Sequence, residues 1–155
     1  MSLNCKDLRE LVVRPTLQHL RLWSPAAEDL ILGTAAQESA LGTYLKQVNG
    51  PALGIYQMEP GTFNDIWENY LAYKPDLTNS LYMLYRQNIP DATAMVGNLY
   101  YATAFCRIHY LRVPEAIPVH KDIKGYAAYW KKYYNTPLGA GTEQEFIDNY
   151  KRYVK

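Results

Sequence analysis

Apolar residues recur along this chain at intervals of three and four, the period of helices that hide one face. Leu8, Leu11 and Val12 share such a face behind Asn4, a residue suited to capping a first helix. Pro15 ends that helix or begins the next turn, and Leu17, Leu20 and Leu22 carry the pattern on. Ser24-Pro25 is a strong restart, with a capping hydroxyl followed by proline in the first helical position. It predicts a helix from about Pro25 to about Ser39, with Ala27, Leu30, Ile31 and Ala35 inward and Thr34 on the same side. Glu28 and Asp29 fall in its first turns, where the helix dipole favours negative charge. Gly42 is the expected stop. Asn49-Gly50-Pro51 is turn chemistry, and Gly54 permits positive φ or a close backbone approach.

Pro60-Gly61-Thr62 opens another helix, whose buried face is Phe63, Ile66, Trp67, Tyr70 and Leu71. Lys74-Pro75-Asp76 is read as an interruption, followed by a short helical piece at about Leu81 to Tyr85. The longest apolar segment, about Ala92 to Leu111, is predicted as the central helix, with Met95, Val96, Leu99, Ala102, Cys106 and Tyr110 along one side. Pro114 and Pro118 bracket a linker. A further helix over about Asp122 to Tyr134 carries Tyr126, Tyr129, Trp130 and Tyr133, and Asn135-Thr136-Pro137 with Gly139-Ala140-Gly141 ends it. Thr142-Glu143-Gln144-Glu145 is a capping box opening a last helix with Phe146, Ile147, Tyr150 and Val154 inward. No alternating strand pattern and no internal repeat appears. The expectation is a single all-α domain over residues 1–155, six to eight helices around a central apolar one, with residues 1–3 read as a leader.

Chemistry enters at Glu38. It lies seven residues after Ile31, four after Thr34 and three after Ala35, so helical phase places its carboxylate on the inward face. A carboxyl buried on an apolar face resists ionisation, and that is the property an acid needs if it is to protonate a glycosidic oxygen at neutral pH. Composition is compatible with such a site. The chain has 155 residues, 48% hydrophobic and 20% charged, with 15 tyrosines and three tryptophans, amphipathic rings that suit a wet sugar-binding groove and a helical core equally well. The net charge of +1, with no basic block, argues against nucleic acid as a partner. Cys5 and Cys106 lack CxxC spacing and read as thiols in a reducing site of synthesis. His19, His109 and His120 lack metal-ligand spacing, so neither a metal nor any other cofactor is expected. No apolar run suits a signal peptide or a membrane span.

Glu38-Ser39, then Gly54-Ile55-Tyr56-Gln57-Met58 with Pro60 and Thr62 following, resembles the signature of the soluble lytic transglycosylase family, in the lysozyme-like superfamily near goose-type lysozyme. Asn98-Leu99-Tyr100-Tyr101 and Tyr134-Asn135 are similar to later family motifs, and the resemblance spans about Ala26 to Asn135. It implies a lysozyme-like fold acting on peptidoglycan glycan strands. Glu38 would protonate the MurNAc-GlcNAc β-1,4 oxygen and then take the proton of the muramoyl 6-hydroxyl, giving 1,6-anhydromuramoyl ends. Gly54, Ile55, Tyr56, Gln57 and Met58 would hold the sugar, the backbone included, with Tyr134 positioning Glu38 or the substrate and Asn135 also on the substrate.

Three departures from the family pattern matter. Val48-Asn49-Gly50 stands where the family often has a serine, and Tyr56 stands where Leu or Met is usual. Glu59 adds an acid beside the loop. Ala127-Ala128-Tyr129 also matches the lead-in to the Tyr-Asn motif, but Trp130 replaces its Asn, so Tyr134 is preferred. A hydrolysing lysozyme would need a second acid to activate water, and Glu59 is the candidate, with Asp65 and Glu68 read as a solvated face. Lysozyme-type hydrolysis and a non-catalytic helical module binding glycan or a virion protein are the competing readings. The absence of an export signal points to a bacteriophage-encoded protein, a monomer or part of a virion, acting on the host wall.

Overall fold

The computed structural model describes residues 1–87, 89–135 and 139–154. Its N-terminal stretch coils as one rod, α1 (Cys5–Asp7), a π segment (Leu8–Val13) and α2 (Arg14–His19). Asn4 caps it as expected, its Oδ1 accepting the Asp7 N–H at 3.0 Å. Pro15 does not end the rod. Proline lacks an N–H and crowds the carbonyl four residues back, and the wider π turn just upstream absorbs that conflict. The extra residue per turn re-phases the buried side. Leu8, Val13 and Leu17 point inward, five and then four residues apart, while Leu11, expected inward, is 63% exposed.

Ser24 Oγ accepts the Ala27 N–H at 3.0 Å and opens α3 (Pro25–Ser39). This helix is more enclosed than an amphipathic pattern implies, because every residue from Ala27 to Ala36 is buried. A helix apolar on all sides belongs at the centre of a fold, and α3 shares that place with the helix in the expected central segment, where Tyr101 to Cys106, Ile108 and Tyr110 are buried. Around α3 pack the first π segment, α7 (Leu99–Leu111), α8 (Ile123–Trp130) and α9 (Glu143–Tyr153). Gly33 makes the α9 contact possible, since a Cβ there would lie 2.6 Å from Phe146 Cζ and 2.9 Å from Tyr150 Cδ2.

Between these elements lie α4 (Pro60–Asn69), a 3-10 turn (Leu71–Tyr73), α5 (Pro75–Leu84) and α6 (Ala94–Gly97). Pro75 starts α5 rather than interrupting a helix, in the first position where a missing N–H costs nothing. The expected piece at Leu81–Tyr85 is only its last turn, and Tyr85 is already extended. The predicted helix from Ala92 to Leu111 is broken at Asn98, whose backbone is extended. Its Oδ1 caps α7 at the Tyr101 N–H (3.0 Å), and its Nδ2 donates to the Leu84 carbonyl (2.9 Å). Local propensity favours a continuous helix; the tertiary bond to α5 and the cap favour the break. The helix predicted over Asp122–Tyr134 is α8 continued by a second π segment (Lys131–Asn135). Of its expected terminator, Thr136 and Pro137 lie outside the described residues. Thr142 caps the last helix as expected, its Oγ1 accepting the Glu145 N–H at 3.1 Å, while the Glu145 carboxylate accepts from the Thr142 hydroxyl at 3.2 Å instead of completing a box at the Thr142 N–H.

The fold is therefore all-α and one domain. With each π segment counted into the helix it continues, eight helices are present among the described residues. Extended pairing there is limited to two isolated bridges, Lys46–Leu53 and Leu53–Met58. No helix among the described residues is long and apolar enough to cross a membrane. Leu3 belongs to the folded body, its N–H donating to the Leu41 carbonyl at 2.9 Å.

Gly33→Ala should force α9 away from α3 and destabilise the protein by roughly 1–3 kcal/mol. Chemical denaturation would read this as a lower midpoint at unchanged slope.

Candidate active site

The last turn of α3 opens onto a cleft of about 500 Å³, lined by Glu38, Gln57, Met58 and Glu59 on one side and by His109, Tyr134 and Asn135 on another. That volume lies within the range of small-ligand sites. A second cavity, about 170 Å³ beside Trp67 and Tyr101, has no acid or base in its lining except tyrosine.

Three features hold Glu38 at the cleft. Ala40 and Leu41 turn the chain left-handed (φ 50° and 53°) ahead of Gly42, a conformation costing a non-glycine residue on the order of 1 kcal/mol. The Leu41 N–H bonds back to the Ala35 carbonyl at 3.1 Å, which ends α3 directly after Ser39. Ser39, fully buried, donates to the Ile55 carbonyl at 2.6 Å and accepts the Gly42 N–H at 2.9 Å. The serine following the acid thus joins the helix end to the loop from Lys46 to Met58. The third feature is Trp130, whose Nε1–H donates to Glu38 Oε2 at 2.9 Å.

Electrostatics at the carboxyl follow from this placement. Burial raises the Glu38 pKa from 4.5 to about 7, against the Trp130 hydrogen bond, which lowers it. Among the described residues no cation offsets the burial. Its imidazole neighbour in the cleft lining, His109, is held at about 4 by burial and by the Arg112 guanidinium, which donates to His109 Nδ1 at 3.0 Å. The imidazole is therefore neutral at neutral pH. The C-terminal end of a helix is also the negative end of its dipole, which disfavours an anion there. The difference amounts to roughly 3 kcal/mol between the two protonation states.

Among the residues expected to hold substrate, the structure separates two groups. Gln57 and Met58 line the cleft. Gly54, Ile55 and Tyr56 do not: Ile55 and Tyr56 are buried, and the Tyr56 hydroxyl pairs with Thr103 Oγ1 at 2.8 Å on α7. Gly54 has φ 77°, and a Cβ there would come within 2.5 Å of the Met95 carbonyl oxygen. The close approach that its sequence context implied is to the protein's own backbone. Carbonyls in this stretch are engaged internally as well, that of Gly54 by the Gln57 side chain (2.8 Å), that of Ile55 by Ser39 and that of Tyr56 by the Tyr134 hydroxyl (2.6 Å). The stretch braces the wall from behind. Its contact with the cleft is through Gln57 and Met58.

Tyr134 and Asn135 lie on the second π segment and both line the cleft. Tyr134 packs edge-on to His109 at 4.9 Å and spans to the loop through its bond to Tyr56. Asn135 Oδ1 accepts from Lys131 Nζ at 2.7 Å, and its NH₂ has no partner among the described residues. Glu59 lines the cleft just before α4. Asp65 pairs with Arg112 at 2.7 Å and Glu68 is exposed; neither lines the cleft.

Sequence reasoning missed two members. Trp130 reads as one aromatic among four on the helix expected over Asp122–Tyr134, and His109 as a core residue on α7. The signal for Trp130 was the Ala-Ala-Tyr-Trp stretch, where the departure from the family pattern sits on the residue that meets Glu38. No family model, curated protein or solved structure matches the chain.

Glu38 should titrate near pH 7 when its side-chain carboxyl is followed by carbon-13 NMR. A carboxyl whose folded pKa lies above its unfolded value binds its proton on folding, so its contribution to stability declines as pH rises from about 4.5 to about 7 and is flat beyond. Glu38→Gln should abolish that slope and leave the protein more stable than wild type at pH 8, as urea titrations at pH 5 and pH 8 would register.

Proposed function

We propose that the chain cleaves peptidoglycan glycan strands, with Glu38 as the acid and then the base of a lytic transglycosylase reaction. One observation carries the reading: the Glu38 carboxyl, enclosed enough to hold its proton up to about pH 7, opens into a cleft of about 500 Å³. The sequence likeness around Glu38-Ser39 and Gly54–Met58 adds the substrate class and a lysozyme-like arrangement of the fold.

In this reaction Glu38 donates its proton to the glycosidic oxygen, the bond from that oxygen to the muramoyl C1 breaks, and the sugar acquires oxocarbenium character. The carboxylate then removes the proton from the muramoyl 6-hydroxyl as its oxygen bonds to C1, which closes the anhydro ring and restores the acid. No water enters. A pKa near the working pH suits a group that must give and then take a proton, and His109, neutral in the lining of the same cleft, adds no positive charge that would stabilise the anion. Gln57, Met58 and Asn135 would meet the sugar, and Tyr134 would keep the loop and the second π segment in register.

Glu59 supports the second reading, hydrolysis, because it adds an exposed carboxylate to the lining of the same cleft, where it would activate water. Mass spectrometry of digested peptidoglycan separates the two. Transglycosylation yields 1,6-anhydromuramoyl ends that survive Glu59→Gln, whereas hydrolysis yields reducing ends and is lost in that variant. Glu38→Gln should reduce cleavage by roughly 100-fold or more on either route. Glycan binding unaccompanied by cleavage in the wild type would leave a binding module instead.

A further inference from the structure

The contact between Trp130 and Glu38 has a directional consequence. An indole N–H can only donate, and the 2.9 Å bond goes to one carboxyl oxygen, Oε2. In a protonated carboxyl group the carbonyl oxygen accepts a hydrogen bond better than the hydroxyl oxygen does. A donor fixed on Oε2 therefore makes that atom the carbonyl and places the proton on Oε1.

Trp130 is well fixed for this task. It is fully buried at the end of α8, where the helix widens into the π segment. Its ring packs against Phe146 at 5.5 Å, and a Cβ on Gly141 would lie 2.7 Å from its Cη2. α9 thus holds the ring from one side and the chain leading into α9 from another. We propose that Trp130 is the positioning residue of the site, fixing the rotamer of Glu38 and making Oε1 the oxygen that delivers and recovers the proton. This rests on the reading of Glu38 as the acid.

The remaining titratable groups near the carboxyl leave Trp130 as its charge-stabilising partner among the described residues. Cys106 and Tyr110 of α7 and Tyr134 of the second π segment lie within electrostatic reach of Glu38; burial pushes all three pKa values up, so they stay uncharged at neutral pH. His109, also on α7, is neutral, and Glu59 on the cleft wall carries the same sign of charge as ionised Glu38.

The test is NMR titration joined to kinetics. In the wild type, the Trp130 indole N–H resonance should move with pH at the midpoint of the Glu38 carboxyl carbon, and this movement should vanish in Glu38→Gln. Trp130→Phe keeps an aromatic ring but removes the donor. The Glu38 midpoint should then rise by about one pH unit, the equivalent of one hydrogen bond to a charged group. The alkaline limb of the rate profile should shift by the same amount, and the plateau rate should fall roughly tenfold or more. A folded Trp130→Phe protein with an unmoved Glu38 midpoint overturns the proposal. If that variant does not fold, an indole resonance in the wild type that ignores the Glu38 titration overturns it equally. Linked titrations in a protein that leaves peptidoglycan uncut would sustain the pairing and defeat the enzymatic reading alone.

Discussion

The enclosure of α3 is the constraint on which the rest of the structure depends. A helix buried from Ala27 to Ala36 has no wet side on which to place a charge, so its acidic residues must be satisfied by whatever packs at its ends. At the N-terminal end Glu28 and Asp29 receive Arg9, which reaches both, together with Arg14 and Trp23 on Glu28 and His120 on Asp29. Burial works against ionisation of Glu28, but the hydrogen bonds from Arg14, Trp23 and Arg9 outweigh it, and its pKa falls below the ordinary value. At the other end Glu38 receives one neutral donor, stands at the negative pole of the dipole, and its pKa rises. One helix therefore carries two kinds of acid. The first kind anchors the N-terminal rod to the core; the second is free to exchange a proton.

Irregular backbone gathers around the second kind, although Arg21, Lys121 and the first π segment, which carries Arg9, lie elsewhere. Left-handed residues occur at Ala40, Leu41, Gly42, Gly54 and Gln57, and a π turn carries Tyr134 and Asn135. Each departs from the conformation that local propensity favours, and each is held by a specific bond. Ser39 binds the Ile55 carbonyl, Tyr134 binds that of Tyr56, and the Tyr56 hydroxyl reaches Thr103. Strain kept in place by such ties is characteristic of binding and catalytic sites. Here the ties run through the loop to α7, so the cleft wall is bonded to the core behind it.

Much of the fold was legible along the chain. Ser24-Pro25, Pro60 and Thr142 marked helix starts correctly because a cap is a local interaction, completed within three or four residues. The failures share a different character. Leu11 turned outward because a π turn, prompted by Pro15, re-phased the helix. Asn98 broke a segment of good helix formers because its side chain had a partner on α5, fourteen residues away. Gly54 looked like space for a ligand, and the space is filled by Met95.

Sequence by itself determined an all-α chain, most of its helix starts and the presence of one carboxyl at the inner end of a helix, since periodicity and capping are properties of neighbouring residues. Phase placed Glu38 inward, yet phase was not the reason it is buried: α3 has no solvent face to contrast with an inner one. Only the tertiary structure decided what surrounds that carboxyl. Trp130 lies 92 positions along the chain from Glu38, and no local pattern distinguishes a tryptophan that fills a core from one that also donates to a carboxyl. The packing of α8 and α9 against α3 makes that distinction, because it fixes where a single N–H points.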